Sequence, residues 1–176
     1  NDITIADEEK LLYAFENFIA AENPGVVVLE DYNKGVLTEN VIVKIISLCK
    51  KNNILTTVDP KRKNFFSYKG VDIFKPNLKE VKEGLNLLSD AVSENILRDI
   101  HLQLQQKLQH KISFITLSEK GVFYNDEKSA AVIPTHIRNV ADVSGAGDTV
   151  IAVASLVYAA TKNVTLMAEV ANIAGG

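Results

Sequence analysis

The four residues Gly145-Ala146-Gly147-Asp148 stand directly before an apolar stretch of helical character. A glycine inside a helix costs roughly 1 kcal/mol against alanine, so two of them at a helix entrance need a compensating reason. With no side chain at 145 or 147, the backbone N–H groups of residues 145–148 can converge on one point, a site for concentrated negative charge. A phosphoryl group in transfer is such a charge. Asp148 beside it predicts a carboxylate that accepts the proton-bearing side of an attacking hydroxyl. The helix N-terminus favours the ionised carboxylate, which makes a weak equilibrium base but a good acceptor. Little basicity is needed, because phosphoryl transfer passes through a loose transition state governed by positioning and electrostatics. The alternative is a turn that only lets the helix pack close to a sheet. Neither common nucleotide fingerprint applies: the third glycine of a dinucleotide loop is replaced by Val150, and no Gly-Lys-Ser/Thr occurs.

Such a turn must be carried by flanking elements. Residues 7–21 place Leu11, Leu12, Phe15, Phe18 and Ile19 at helical spacing, and Asn23-Pro24-Gly25 ends that helix. VVVLEDY is a short apolar run, which predicts a strand covered on both faces. Thr38 caps a second helix, ILTTVDP is a second strand closed by Pro60, and VDIFKPN is a shorter third strand. NLKEVKEGLNLL and the Ser93-capped SENILRDIHLQLQQKLQ are further helices. KISFITLSEKG is a fourth strand, GVFYNDEKSAAVIPT a hairpin turning at Asn125 and Asp126, and two helices close the chain, the first running through Val157 and the second starting after Asn163. Strands alternating with helices predict an α/β fold, a three-layer α/β/α sandwich with a mainly parallel sheet, in one domain. In such sheets ligands sit beyond the carboxyl ends of the strands, where Asp31 to Gly35, Asp59 to Lys61, Lys75 to Asn77, and Thr116, Ser118, Lys120 and Gly121 collect.

Composition bounds the partners. The chain has 176 residues, 47% of them apolar, enough to bury the core of one domain. A net charge of -3 without a basic block excludes nucleic acid or an anionic membrane as the main partner. The lone Cys49, inside an amphipathic helix, predicts a buried structural thiol and a reducing, cytoplasmic setting. No stretch reaches the ~18 apolar residues of a membrane span. His101, His110 and His136 lack partners at metal spacing, which predicts surface or structural roles.

The run Asp142-Val143-Ser144-Gly145-Ala146-Gly147-Asp148 closely resembles the carboxyl-proximal signature of the ribokinase-like (PfkB-type) carbohydrate kinases. Lys75-Pro76-Asn77-x-x-Glu80 is similar to their Asn-x-x-Glu motif, and Thr116 to Gly121 to their nucleotide-contacting strand end. Within that family, Asp31-Tyr32-x-Lys34-Gly35 and Asp59-Pro60-Lys61 are most similar to the branch that phosphorylates heptose 7-phosphate at its anomeric hydroxyl, a step towards ADP-heptose. The resemblance implies that ATP is the donor, that Asp148 is the catalytic base and that residues 145–147 form the anion hole. It implies that Lys75, Asn77, Thr116, Ser118 and Gly121 serve the nucleotide. Asn77 and Glu80 would govern Mg²⁺ through water, and Asp142 and Ser144 a monovalent cation such as K⁺. A plain Asn cap followed by a solvated Glu is the alternative for Asn77 and Glu80. Asp31, Lys34 and Lys61 are substrate-side candidates, with ordinary strand-end charges the alternative. Other sugars or nucleosides stay open as acceptors, as does a non-catalytic nucleotide-binding module. Ser118 departs from the glycine that many relatives carry there. The resemblance also implies that residues 1–176 are the C-terminal portion of a single kinase domain. The first strand, the Gly-Gly sugar motif, the β lid through which relatives dimerise, and the final helix would lie outside it, so the segment by itself is expected to bind ATP weakly and to leave sugar unphosphorylated.

Overall fold

A computed structural model describes residues 2–88, 92–135 and 145–175. Six strands form one sheet in the order β1 (Val26–Glu30), β2 (Leu55–Asp59), β3 (Ile73–Phe74), β4 (Ile112–Thr116), β5 (Val122–Asn125), β6 (Ala130–Ile133). The first four run parallel; β5 and β6 are antiparallel, joined as a hairpin. The helices are α1 (Ile5–Glu22), α2 (Glu39–Lys51), α3 (Leu78–Leu85), α4 (Glu94–Leu108), α5 (Ala146–Thr161) and α6 (Val164–Gly175). The expected three-layer α/β/α arrangement is found.

Alternation along the strands sorts two cores. Val58, Phe74, Ile115 and Phe123 face a core shared with α1, α2 and α4, which includes Leu12, Ile42, Leu97 and Leu104. Ile73, Ile112, Phe114, Val122 and Tyr124 face the other way, onto Val150 and Ala154 of α5 and Met167 and Ala171 of α6. Neighbours in sequence point to opposite faces because the side-chain period of a strand is two. Helix α5 crosses β1 and β2, where Thr57 Oγ1 and Ser155 Oγ are 2.7 Å apart, and α6 covers β5 and β6.

Local signals set the helix ends. The side chains of Thr4, Thr38 and Ser93 accept from the amides of Asp7, Val41 and Ile96, each stabilising its helix start by about 1 kcal/mol. Asn23, with φ 44°, closes α1 in the left-handed conformation that asparagine tolerates. Two expectations gain detail. Strand β1 is covered on both faces, by α5 on one and by the core that takes Val27 and Leu29 on the other, but among the described residues it is also a sheet edge, so Val26, Val27 and Val28 remain half-buried, whereas every residue of β2 is buried. Helix α5 continues past Val157 to Thr161, because its apolar face keeps packing on α6.

Cys49 is buried, and burial pushes its thiol up to about 11, an inert group as expected. His101 and His110 are structural. Both are buried and share the Ser113 hydroxyl, at 2.9 and 2.7 Å. His136 lies outside the described residues. Among the described residues no helix is long and apolar enough to cross a membrane.

Candidate active site

Because β1 to β4 are parallel, their carboxyl ends open onto one edge, and the N-terminus of α5 reaches that edge. Gly145 caps α5 with φ 80°, a left-handed conformation that favours glycine, and this is the compensating reason for a glycine at that position. The first intrahelical bond runs from Thr149 N to Gly145 O, so the helix geometry leaves the amides of Ala146, Gly147 and Asp148 without helical carbonyls. Gly147 has a different reason. A Cβ there would stand 3.7 Å from Asp59 Oδ2 and 3.8 Å from Lys75 Nζ, so any longer side chain would fill the space between the turn and that ion pair.

The β2 and β3 ends supply an alternating ladder of charge. Lys75 is 3% exposed, and its ammonium lies 3.0 Å from Asp59 Oδ2. The other oxygen of Asp59 accepts from Lys61 at 3.1 Å, and Lys61 donates onward to Glu80 Oε1 at 2.8 Å. Burial works against the Lys61 charge, but the hydrogen bond to Glu80 and the charges of Asp59 and Glu80 outweigh it and hold the ammonium above its ordinary range. Glu80 and Asn77 form a reciprocal capping box at the start of α3: Asn77 N donates to Glu80 Oε2 at 2.9 Å and Glu80 N to Asn77 Oδ1 at 2.8 Å. The Asn cap is therefore present, while Glu80 is paired and mostly buried, not solvated. Each carboxylate oxygen has two lone pairs, so Glu80 keeps acceptor capacity for water around a hydrated cation. Among the described residues no group of three His, Cys, Asp or Glu is placed to hold a metal directly.

The end of β1 divides its side chains between two sides. Asp31 is buried and accepts from Asn33 N at 2.7 Å, Asn64 Nδ2 at 3.2 Å and Tyr68 Oη at 2.7 Å. It uses its carboxylate inside the fold, pinning the loop to the Arg62–Asn64 turn. Lys34 is exposed on that loop. Tyr32 and Glu30 point the other way, toward α5, and Tyr32 Oη donates to Asp148 Oδ2 at 2.7 Å. That bond first, then burial and the charges of Asp148, Glu30 and Asp59, pushes the Tyr32 phenol up to about 12. Burial, with Asp148 and Asp59 nearby, raises the Glu30 carboxyl above its usual range.

At the end of β4, Thr116 N donates to Pro76 O at 3.2 Å, which brings Thr116 beside Asn77. Ser118 has φ 55°, a left-handed position that a serine occupies at some strain and that suits the glycine expected there from the family resemblance. Gly121 is demanded by packing as well, since a Cβ there would lie 1.9 Å from Ile133 O in the adjoining hairpin strand. Asp142 and Ser144 lie outside the described residues.

The structure thus brings together Gly145, Ala146, Gly147, Asp148, Lys75, Lys61, Asn77 and Glu80, and it turns Asp31 away. Sequence reasoning placed Asp59 and Tyr32 at the ligand edge without a role and left out Glu30. A signal for Glu30 and Tyr32 was available, since residues two apart in a strand share a face, and continuing the β1 alternation past Glu30 sets both opposite Asp31.

The bifunctional protein HldE of Aliarcobacter butzleri is 37% identical over 176 residues, which span all of this chain and 36% of that protein. HldE of Sulfurimonas denitrificans is 40% identical over 151 residues, 85% of this chain and 31% of the relative. The chain therefore spans about a third of the length of these curated relatives. Among solved structures, phosphofructokinase-2 from Escherichia coli in complex with potassium superposes with a TM-score of 0.82 at 17% identity, over 99% of this chain and 56% of the other. Arabidopsis thaliana ribokinase complexed with ribose and ATP gives 0.72 at 17% identity, over 99% and 52%. These two show the fold. The model of the pfkB family of carbohydrate kinases matches residues 1–176, and the chain belongs to that family.

Proposed function

We propose that this segment is the nucleotide side of an ATP-dependent sugar kinase, and that the acceptor is a heptose phosphate such as D-glycero-D-manno-heptose 7-phosphate. One observation carries the reading: a carboxylate, Asp148, stands at a helix entrance whose amides lack helical partners, beside a buried lysine at the carboxyl edge of a parallel sheet. A non-catalytic nucleotide binder has no use for a carboxylate at that point. The heptose acceptor rests on the likeness to HldE. Because the chain covers about a third of those relatives, this reading assigns it mainly the nucleotide side of the reaction, with Lys34 and Lys61 as its substrate-side candidates.

In this reading the acceptor hydroxyl is held against Asp148. Its oxygen bonds to the γ-phosphorus as the bond from that phosphorus to the ADP oxygen breaks, and its proton passes to Asp148. The amides of residues 146–148 receive the negative charge that gathers on the transferred group. Lys75, reachable across Gly147, turns toward the phosphates while Asp59 keeps it aligned. Asn77 and Glu80 would hold Mg²⁺ through water, and the ion would neutralise phosphate charge. Asp142 and Ser144 remain the candidates for K⁺.

The test is to supply the full-length protein with ATP, Mg²⁺ and a panel of sugars and sugar phosphates, alongside Asp148→Asn. The variant is expected to lose at least ~100-fold in turnover while keeping its affinity for ATP. Full activity in the variant would remove Asp148 as the base. Preference for another sugar would remove the heptose assignment.

A further inference from the structure

Tyr32 is 56% exposed, yet its hydroxyl donates at 2.7 Å to the carboxylate proposed above as the base, with the Glu30 carboxyl also close to it. We propose that Tyr32 is a positioning residue, whose phenol ties down Oδ2 of Asp148 at 2.7 Å and leaves Oδ1 as the oxygen that receives the acceptor's proton. The inference rests on the kinase reading and adds a second side chain to its catalytic step.

Three features support it. The loop that carries Tyr32 is fixed from below, because Asp31 is held by Asn64 and Tyr68 and in turn accepts from Asn33 N. A phenol has only two side-chain torsions, so on a fixed backbone its oxygen is well placed. Asp148 is the third residue of α5, a position from which an unrestrained carboxylate can fold back toward the bare amides of its own helix. There it would fill the space meant for phosphate. A neutral donor on the β1 side pulls the carboxylate outward, and an O–H to a carboxylate is among the stronger hydrogen bonds. Phenylalanine would fill the same volume and hold nothing. In the step itself the Tyr32 proton stays on the phenol, and the acceptor's proton moves to Oδ1 as the oxygen–phosphorus bond forms.

Four forms of the full-length protein test this: wild type, Tyr32→Phe, Asp148→Asn and the double variant. Tyr32→Phe is expected to lower kcat about tenfold and to change the acceptor KM by less than about twofold, since orientation and not binding is lost. The double variant should turn over no more slowly than Asp148→Asn alone, because the phenol acts only through the carboxylate. A second readout does not need activity. In the alkaline absorbance titration, the difference between wild type and Tyr32→Phe should show one phenol still protonated at about pH 11, where an ordinary tyrosine near pH 10 has ionised. The same difference measured in the Asp148→Asn background should return toward pH 10. Additive losses, a raised acceptor KM with unchanged kcat, or an ordinary phenol titration would each overturn the proposal. An active Asp148→Asn would instead overturn the kinase reading, and the titration would still decide the pairing.

Discussion

Two tyrosine–aspartate pairs flank the end of β1, and they differ in everything except the bond. Tyr68 donates to Asp31 and Tyr32 to Asp148, both at 2.7 Å. The first pair lies on the face packed by α1 to α4, with Tyr68 0% exposed; the second opens to solvent on the α5 side. Burial first, then the bond to Asp31, drives the Tyr68 phenol far up, so that it never ionises in the folded protein. The same face holds the second buried polar set, His101, Ser113 and His110. A hydroxyl has one proton, so Ser113 donates to one imidazole and accepts from the other. Burial holds both imidazoles neutral, and His110 is pushed down to about 3. Tyr68, His101 and His110 on that face are thus held in their neutral forms. On the open edge, carboxylates and ammonium groups are set against one another in pairs, Lys75 with Asp59 and Lys61 with Asp59 and Glu80, and charge is what a phosphoryl transfer needs.

The largest effect that sharpens this contrast is acid sensitivity of the covered face. The folded value of His110 lies below its unfolded 6.5, so the unfolded chain binds more protons between the two. The stability that this histidine contributes is complete above pH 6.5 and is lost as the pH falls toward 3, on the order of 5 kcal/mol in all. Urea unfolding at pH 4 to 7 should show a steeper loss for the wild type than for His110→Asn. Equal slopes would mean that the histidine is not buried neutral.

Next comes Tyr68→Phe, which leaves Asp31 buried with one donor fewer and should cost about 2 kcal/mol in urea unfolding without altering ATP affinity. Tyr32→Phe should leave the unfolding midpoint in place. If the two variants destabilised the protein alike, the distinction between a structural and a site pair would fail. The smallest effect is that of Gly145→Ala, whose left-handed backbone should cost about 1 kcal/mol. It should weaken ATP binding more than it weakens the fold, as isothermal titration set beside a denaturation curve would show.

Much of this molecule can be read from its residues. Apolar runs of four or five residues closed by Pro60 or Pro76, and caps at Thr38 and Ser93, locate the elements because these signals act within a few residues. Gly145-Ala146-Gly147-Asp148 marks the site for the same reason, since bare amides at a helix start are a local property. The edge position of β1 was not legible in VVVLEDY, because an edge strand and a central strand can share one apolar run and only the neighbouring strand distinguishes them.

The end of β1 shows where that local reading stops. Alternation along the strand determines from sequence alone that Asp31 and Tyr32 point to opposite sides. It carries no information on which side receives α5, an element more than a hundred residues later. That choice was made by the packing of α5 across β1 and β2, which turned Tyr32 toward Asp148 and buried Asp31 against Tyr68. Periodicity is a property of the local backbone; the identity of the face is a property of long-range burial, and only the folded chain contains it.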